Sequence, residues 1–248
     1  MIRIENVTKS YGGKVAVSAL NLHIQKNEIF AFLGPNGAGK TTTIKMLNGL
    51  LRPDKGDIYI NGFHTAREAM KAKSFLGYVP DEPYLYDKLT GREFLYFVGS
   101  LYRIEKELIH QKIEELNALF ELNAFLDELT ETYSHGMKQR IVMSAALLHD
   151  PKILILDEPM VGLDPKNMKR VKKIIQEFAS QEKCVFMSTH SLSVAEECAT
   201  QICILDQGKI RAKGTLAELK SSLTQHPDHT LEDLFLKITA EEEFSDAS

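Results

Sequence analysis

Apolar positions Ile2, Ile4 and Val7 alternate with polar ones at the start of the chain, which predicts a strand closed by the turn Tyr11-Gly12-Gly13. The run Glu28-Ile29-Phe30-Ala31-Phe32-Leu33 is short and nearly unbroken in its apolar character, as a buried strand requires. Ile44, Met46, Leu47 and Leu50 then share one helical face, predicting a helix from Thr41 to Leu50 that Pro53 and Gly56 stop. Asp57–Ile60 reads as a strand running into the turn Asn61-Gly62. From Thr90 to Leu148 glycine is scarce and apolar residues recur at helical spacing, with Ile109, Ile113, Leu116 and Phe120 forming one core-facing stripe. That region is expected to be a helical insert. Strand and helix patterns then resume, with strands at Lys152–Leu156 and Cys184–Ser188 flanking a helix at Lys166–Ser180. Gln201–Leu205 and Lys209–Ala212 suit a hairpin around Asp206-Gln207-Gly208. Strands alternating with helices predict an α/β fold with a parallel-rich sheet. Beyond Leu216 the pattern is polar and helical, and its acidic end (Glu241–Glu243, Asp246) is expected to fray.

The segment Gly34-Pro35-Asn36-Gly37-Ala38-Gly39-Lys40-Thr41-Thr42 sits between a predicted strand and a predicted helix. This is the P-loop pattern in the context it needs. Glycines let backbone N–H groups turn inward around a phosphate, the helix N-terminus adds a positive dipole end, Lys40 supplies a point charge, and Thr41 offers a hydroxyl to Mg²⁺. The strand Ile153–Leu156 runs into two adjacent carboxylates, Asp157 and Glu158. Neighbouring side chains on a strand point to opposite faces, so the pair can divide its work: Asp157 toward the Mg²⁺ shell, Glu158 toward a water attacking the γ-phosphate. An Asn-Lys-x-Asp guanine-reading segment is missing, which argues against a GTPase. A small-molecule kinase would not need Glu158 as a water activator, so hydrolysis is favoured.

Composition narrows the class. With 248 residues, 44% of them hydrophobic and 26% charged, the chain has the make-up of a globular protein with a full core. Its net charge of −4 disfavours a basic nucleic-acid binder. Three cysteines without CxxC spacing form no disulfide framework and point to a reducing compartment. No apolar run approaches the ~18–20 residues that span a bilayer, and the N-terminus does not resemble a secretory signal. A soluble, intracellular protein is expected, with any membrane role reached through a partner.

Further landmarks fall in a fixed order: Ser134-His135-Gly136-Met137-Lys138-Gln139-Arg140 before Asp157, then Gly162-Leu163-Asp164-Pro165, then Thr189-His190-Ser191. Together with Tyr11, the P-loop and the paired carboxylates, this set resembles the ATP-binding subunits of ABC transporters, over roughly residues 1–215. The wording of the Ser134 segment and of Asp87–Glu93 is most similar to bacterial single-cassette exporter ATPases.

The resemblance implies a P-loop NTPase core with an N-terminal antiparallel β portion and an inserted helical subdomain. The ATPase domain would span residues 1–220, with its core at 1–86 and 151–220, its insert at about 87–150, and a short helical, acidic tail at 221–248. It further implies that Tyr11 stacks on adenine, that Ser134 and Gly136 cap the γ-phosphate held by an opposite subunit, that Asp164 lies at that seam, and that His190 is the γ-phosphate-sensing histidine. One chain carries one P-loop and one signature segment, so two copies, or a copy and a paralogue, would meet head-to-tail on ATP and Mg²⁺. The expected partner is a separate transmembrane permease, which would place the chain on the cytoplasmic face of the membrane. A soluble ABC ATPase serving a protein scaffold, such as iron–sulfur cluster assembly, is the alternative.

The chain departs from the family pattern twice. Tyr133, His135 and Met137 replace three residues of Leu-Ser-Gly-Gly-Gln, while Ser134 and Gly136 are kept. Asp81, in Gly77-Tyr78-Val79-Pro80-Asp81, stands where the family has the glutamine of the Q-loop, so an acceptor-only carboxylate that adds charge near Mg²⁺ replaces an amide.

Overall fold

The computed structural model describes residues 1–221 and 230–240. In chain order these form β1 (Ile2–Tyr11), β2 (Lys14–Ile24), β3 (Ile29–Leu33), α1 (Lys40–Leu47), β4 (Lys55–Ile60), β5 (Phe63–His64), α2 (Ala69–Ser74), β6 (Leu76–Val79), α3 (Gly91–Leu101), α4 (Lys106–Phe120), α5 (His135–Leu147), β7 (Ile153–Asp157), α6 (Pro165–Ala179), β8 (Cys184–Thr189), α7 (Leu192–Cys198), β9 (Gln201–Asp206), β10 (Lys209–Gly214), α8 (Leu216–Ser221) and α9 (Leu231–Ala240).

Two sheets result. An antiparallel sheet of order β2-β1-β4-β5 carries the N-terminal part. The central sheet has the order β10-β9-β3-β8-β7-β6, parallel from β9 to β6 with the β9–β10 hairpin closing one edge. Its middle strands are buried on both faces, which is why β3, β7 up to Leu156 and β8 up to Met187 read as apolar runs.

Side-chain alternation splits the core cleanly. On β3, Phe30 and Phe32 face a cluster shared with the antiparallel sheet and α1, whereas Ile29, Ala31 and Leu33 face a second cluster that takes in the insert helices, α6 and α7. On β7, Ile153 and Ile155 join the first cluster, and Leu154 and Leu156 the second. Phe186 of β8 anchors the first, its ring 5.7 Å from Phe30 and 5.3 Å from Phe32.

The insert is helical, as its periodicity predicts. α3 opens with a capping box in which Thr90 Oγ1 accepts from the Glu93 N–H at 3.1 Å and Glu93 Oε2 accepts from the Thr90 N–H at 2.8 Å. The stripe Ile109, Ile113, Leu116 and Phe120 on α4 is buried. Insert and core are also tied by polar contacts: Glu121, which caps α4 in a left-handed conformation, pairs with Lys166 and Arg170 of α6.

Two local readings need correcting. α1 ends at Leu47, because Asn48 caps it and Gly49 turns the chain at φ +62°; Leu50, expected on the apolar face, is exposed. β2 and the short β5 and α2 were not foreseen, since β2's alternation is broken by a bulge where Ala19 adopts φ +46°. α9 packs on α7, α8 and β9, with Leu231 and Leu234 buried in the second cluster. The acidic stretch Glu241–Glu243 and Asp246 lies outside the described residues.

Candidate active site

The phosphate loop springs from the buried end of β3 and enters α1 through Gly39, which holds φ +106°. A Cβ at Gly39 would also lie 2.5 Å from the Ala16 carbonyl oxygen, so glycine is needed there for space as well as for conformation. The loop is braced from behind, where Gly208 N–H donates to the Ala38 carbonyl at 2.9 Å and Ala38 N–H to the Pro35 carbonyl at 3.2 Å. Asn36, Gly37 and Thr41 are exposed, Pro35 and Thr42 half-buried, and Gly34, Ala38 and Gly39 buried. No side chain caps α1 and no acid occupies its first turn, so its N–H groups and dipole face the loop unneutralised.

Lys40 is buried, and its Nζ donates to the Gly34 carbonyl at 2.7 Å and the Pro35 carbonyl at 3.2 Å. Burial lowers its pKa, opposed by the attraction of Glu158 and Asp157. The lysine therefore rests against the loop it serves, with both carboxylates close by.

Strand parity places those carboxylates. Asp157 shares the β7 face of Ile153 and Ile155, the face that looks toward α1. Its register partner on β8 is Ser188, whose Oγ donates to Asp157 Oδ1 at 2.5 Å. Burial raises the Asp157 pKa and repulsion from Asp81 and Glu158 adds to that, while the Ser188 hydrogen bond and Lys40 oppose it. Asp81 reaches this point because β6 pairs in parallel with β7, Val79 opposite Leu156, so both strands deliver an acid at their carboxyl ends. Between them Tyr78 is half-buried, and burial with the two acids pushes its phenol up to about 12.

Glu158 adopts φ +49°, a conformation uncommon for a side-chain-bearing residue. Its N–H donates to both the carbonyl and the Oγ of Ser188, each at 3.2 Å. Its carboxylate is turned onto His190, with Oε1 3.0 Å from Nδ1. His190 is exposed while the Glu158 side chain is only 13% accessible, so the pair runs from the site's floor to its mouth.

The structure thus brings together the phosphate loop, Asp81, Asp157, Glu158 and His190. Four other sequence-nominated residues stand elsewhere. Tyr11 lies at the β1–β2 turn, exposed, with Lys9 Nζ 5.8 Å from its ring centroid. Ser134 caps α5, accepting from the Met137 N–H at 3.3 Å, and Gly136 in that first turn has open space where a Cβ would be. Asp164 caps α6, accepting from the Asn167 N–H at 3.0 Å. Sequence reasoning missed Ser188, which ties Asp157 to Glu158, because its place depends on the β7–β8 register, which no contiguous stretch of sequence states.

A strand–loop–helix phosphate cradle beside a buried acid and a half-buried carboxylate paired to histidine defines a nucleoside-triphosphate hydrolase. Residues 17–161 match the ABC transporter family. The chain is 38% identical over 223 residues to the linearmycin resistance ATP-binding protein LnrL of Bacillus subtilis (strain 168), covering 90% of this chain and 72% of that protein. Among solved structures, the ATP binding subunit of an ABC transporter has a TM-score of 0.90 at 29% identity, covering 96% of this chain and 99% of that one. A dimeric ATP-binding cassette in a post-hydrolysis state, bound to ADP and Pi, has a TM-score of 0.79 at 27% identity, covering 87% and 98%. The chain belongs to the ABC transporter family and is an ABC-type, ATP-binding ATPase.

Proposed function

We propose that this chain is the motor subunit of an exporter: two copies, or a copy and a paralogue, close head-to-tail over two ATP molecules and drive substrate outward through a separate transmembrane permease. The observation that carries this reading is the division of the site. The catalytic groups gather at the carboxyl ends of β3, β6, β7 and β8, while Ser134 and Gly136 open α5 in the insert and Asp164 opens α6. Ser134 and Asp164 are exposed, each at a helix N-terminus suited to an anion or a facing donor. The likeness to a dimeric cassette and to a resistance protein supports the same reading.

Within each site, Lys40 exchanges the Gly34 and Pro35 carbonyls for the β- and γ-phosphates, and the α1 N-terminus holds the remaining oxygens. The Thr41 hydroxyl, Asp157 and Asp81 are the residues that would hold Mg²⁺. The fit is good: all three offer hard oxygen donors, and the buried Asp157 carboxylate is already oriented by Ser188. Among the described residues no group of three or more His, Cys, Asp or Glu is placed to hold a metal alone, which suits an ion completed by phosphate oxygens and water. Bound there, Mg²⁺ would neutralise charge on the transferring phosphoryl group. Glu158 accepts a proton from the attacking water as its oxygen closes on the γ-phosphorus and the bond to the bridging oxygen breaks in line, releasing ADP with that electron pair; His190 holds the carboxylate in place and meets the γ-phosphate. Tyr11 stacks on adenine.

Among the described residues no helix is long and apolar enough to cross a membrane. The permease contact falls to an apolar cleft of about 340 Å³ between core and insert, lined by Leu50, Tyr78, Tyr84, Phe94 and Tyr102, just past Asp81. Leu50, Tyr84 and Tyr102 are each at least 40% exposed, a concentration of large apolar side chains that marks an interaction surface. The test is a pull-down of tagged Glu158→Gln chain with Mg-ATP from detergent-solubilised membranes. Recovery of a multi-span membrane protein is expected. Recovery of soluble proteins alone would overturn the transporter reading in favour of a scaffold ATPase.

A further inference from the structure

His135 takes a place where the family's signature has glycine, and it is the first residue of α5, between Ser134 and Gly136. Its imidazole leans on the loop that follows Glu158. A Cβ added to Gly162 would lie 2.9 Å from His135 Cδ2 and 3.1 Å from Nε2, so the ring rests directly against the Gly162 backbone. Gly162 also holds φ +72°, so both conformation and the histidine ring select glycine there. The loop itself is a short hydrogen-bonded link. Val161 N–H donates to the Glu158 carbonyl at 3.2 Å and Leu163 N–H to the Met160 carbonyl at 3.4 Å, after which Asp164 caps α6. One end of the link is the water-activating carboxylate, and the other is the acid at the subunit seam. Arg140, further along α5, donates its Nε to the Gly136 carbonyl at 3.4 Å and its Nη1 to the Phe120 and Glu121 carbonyls at 3.2 and 3.1 Å, fixing the start of α5 against the end of α4.

We propose that His135 is a positioning residue that couples the signature-like segment to Glu158 of the same chain through its contact with Gly162. Closure of the partner's nucleotide onto Ser134 and Gly136 then sets the geometry of the carboxylate in this chain's own site, and the two sites fire together. The inference rests on the head-to-tail reading above. His135 and Gly162 are both exposed, so the contact acts by steric exclusion: with the ring in place the Gly162 loop cannot shift toward the start of α5, whereas a glycine at 135 would leave that path open. The coupling free energy appears as cooperativity between sites.

The experiment uses the full chain, with circular dichroism to confirm that each variant folds. In a Glu158→Gln background, His135→Gly is expected to keep ATP-driven dimerisation on size exclusion. In the otherwise native chain, His135→Gly should lower kcat roughly tenfold, a fraction of the ~10² that a 1 Å misplacement can cost, with KM little changed and the Hill coefficient falling toward one. His135→Phe, which keeps a ring over Gly162 without a titratable nitrogen, should recover most of kcat. Gly162→Ala should also be slow, and the double variant with His135→Gly should lose less than the two single losses multiplied. Native kcat and Hill coefficient in His135→Gly, a Phe variant as slow as the Gly variant, or a multiplicative double variant would each overturn the coupling. Failure of Glu158→Gln itself to dimerise on ATP would overturn the head-to-tail reading and the coupling with it.

Discussion

His149 makes stability depend on pH in a calculable way. It follows α5, its ring stacks on Tyr102 at the end of α3 with centroids 3.7 Å apart and planes 8° apart, and its Nε2 lies 2.9 Å from the Leu76 carbonyl of β6. A carbonyl only accepts, so Nε2 carries the proton and Nδ1 is the bare nitrogen; Nδ1 is buried without a hydrogen-bond partner. Protonation would put a charge there with no acceptor to meet it. Burial accordingly lowers the pKa from 6.5 to about 4, against the smaller opposing pulls of the Leu76 carbonyl and Asp150, while Lys112 adds to the lowering. Because the folded-state value lies below the unfolded one, the native state takes up fewer protons. The stabilisation is complete above 6.5 and is lost as pH falls toward 4, by about 3 kcal/mol across that window. His149→Phe keeps the stack but orphans the Leu76 carbonyl, costing roughly 1–3 kcal/mol at neutral pH, and removes the titration. Urea unfolding followed by far-UV circular dichroism at pH 7.5, 6 and 5 should show the native chain losing its advantage over the variant as pH drops. Parallel stability profiles would refute the reasoning.

Four more outcomes test the site and the core. Lys40→Ala should abolish nucleotide binding in a fluorescent-ATP titration, whereas Glu158→Gln should bind normally and turn over ~10²–10⁴-fold more slowly; native turnover by Glu158→Gln would remove it as the base. Asp81→Asn should raise the Mg²⁺ concentration needed for half-maximal ATPase activity, and an unchanged requirement would take Asp81 out of the metal shell. Phe186→Ala, at the junction of the Phe30 and Phe32 rings, should cost about 3–5 kcal/mol in urea unfolding, and a loss under 1 kcal/mol would show that the rings close over the gap.

What the sequence disclosed, and what it withheld, follows from how local each signal is. β3, α1's start and β7 with its two acids are written in contiguous residues, and so is the insert, whose α4 stripe is buried at the positions its periodicity names. β2 escaped because the bulge at Ala19 breaks its period of two. The end of α1 escaped because Gly49 acts before the more conspicuous Pro53. The Ser188–Asp157 bond and the His135–Gly162 contact join segments distant in sequence, and nothing in either segment alone announces the other. At the candidate site, residue types were legible and their partners were not: Glu158 was visible as an acid, but not its turn onto His190.

The alternation along β3 and β7 has a mechanical consequence. The side of Phe30, Phe32 and Phe186 packs α1 and the antiparallel strands, and so anchors the helix that the phosphate loop enters. All the buried apolar residues of α3, α4 and α5 belong to the other side. One strand layer therefore works as a bulkhead: a substitution that loosens the packing of the insert is insulated from the wall on which the phosphate loop is anchored.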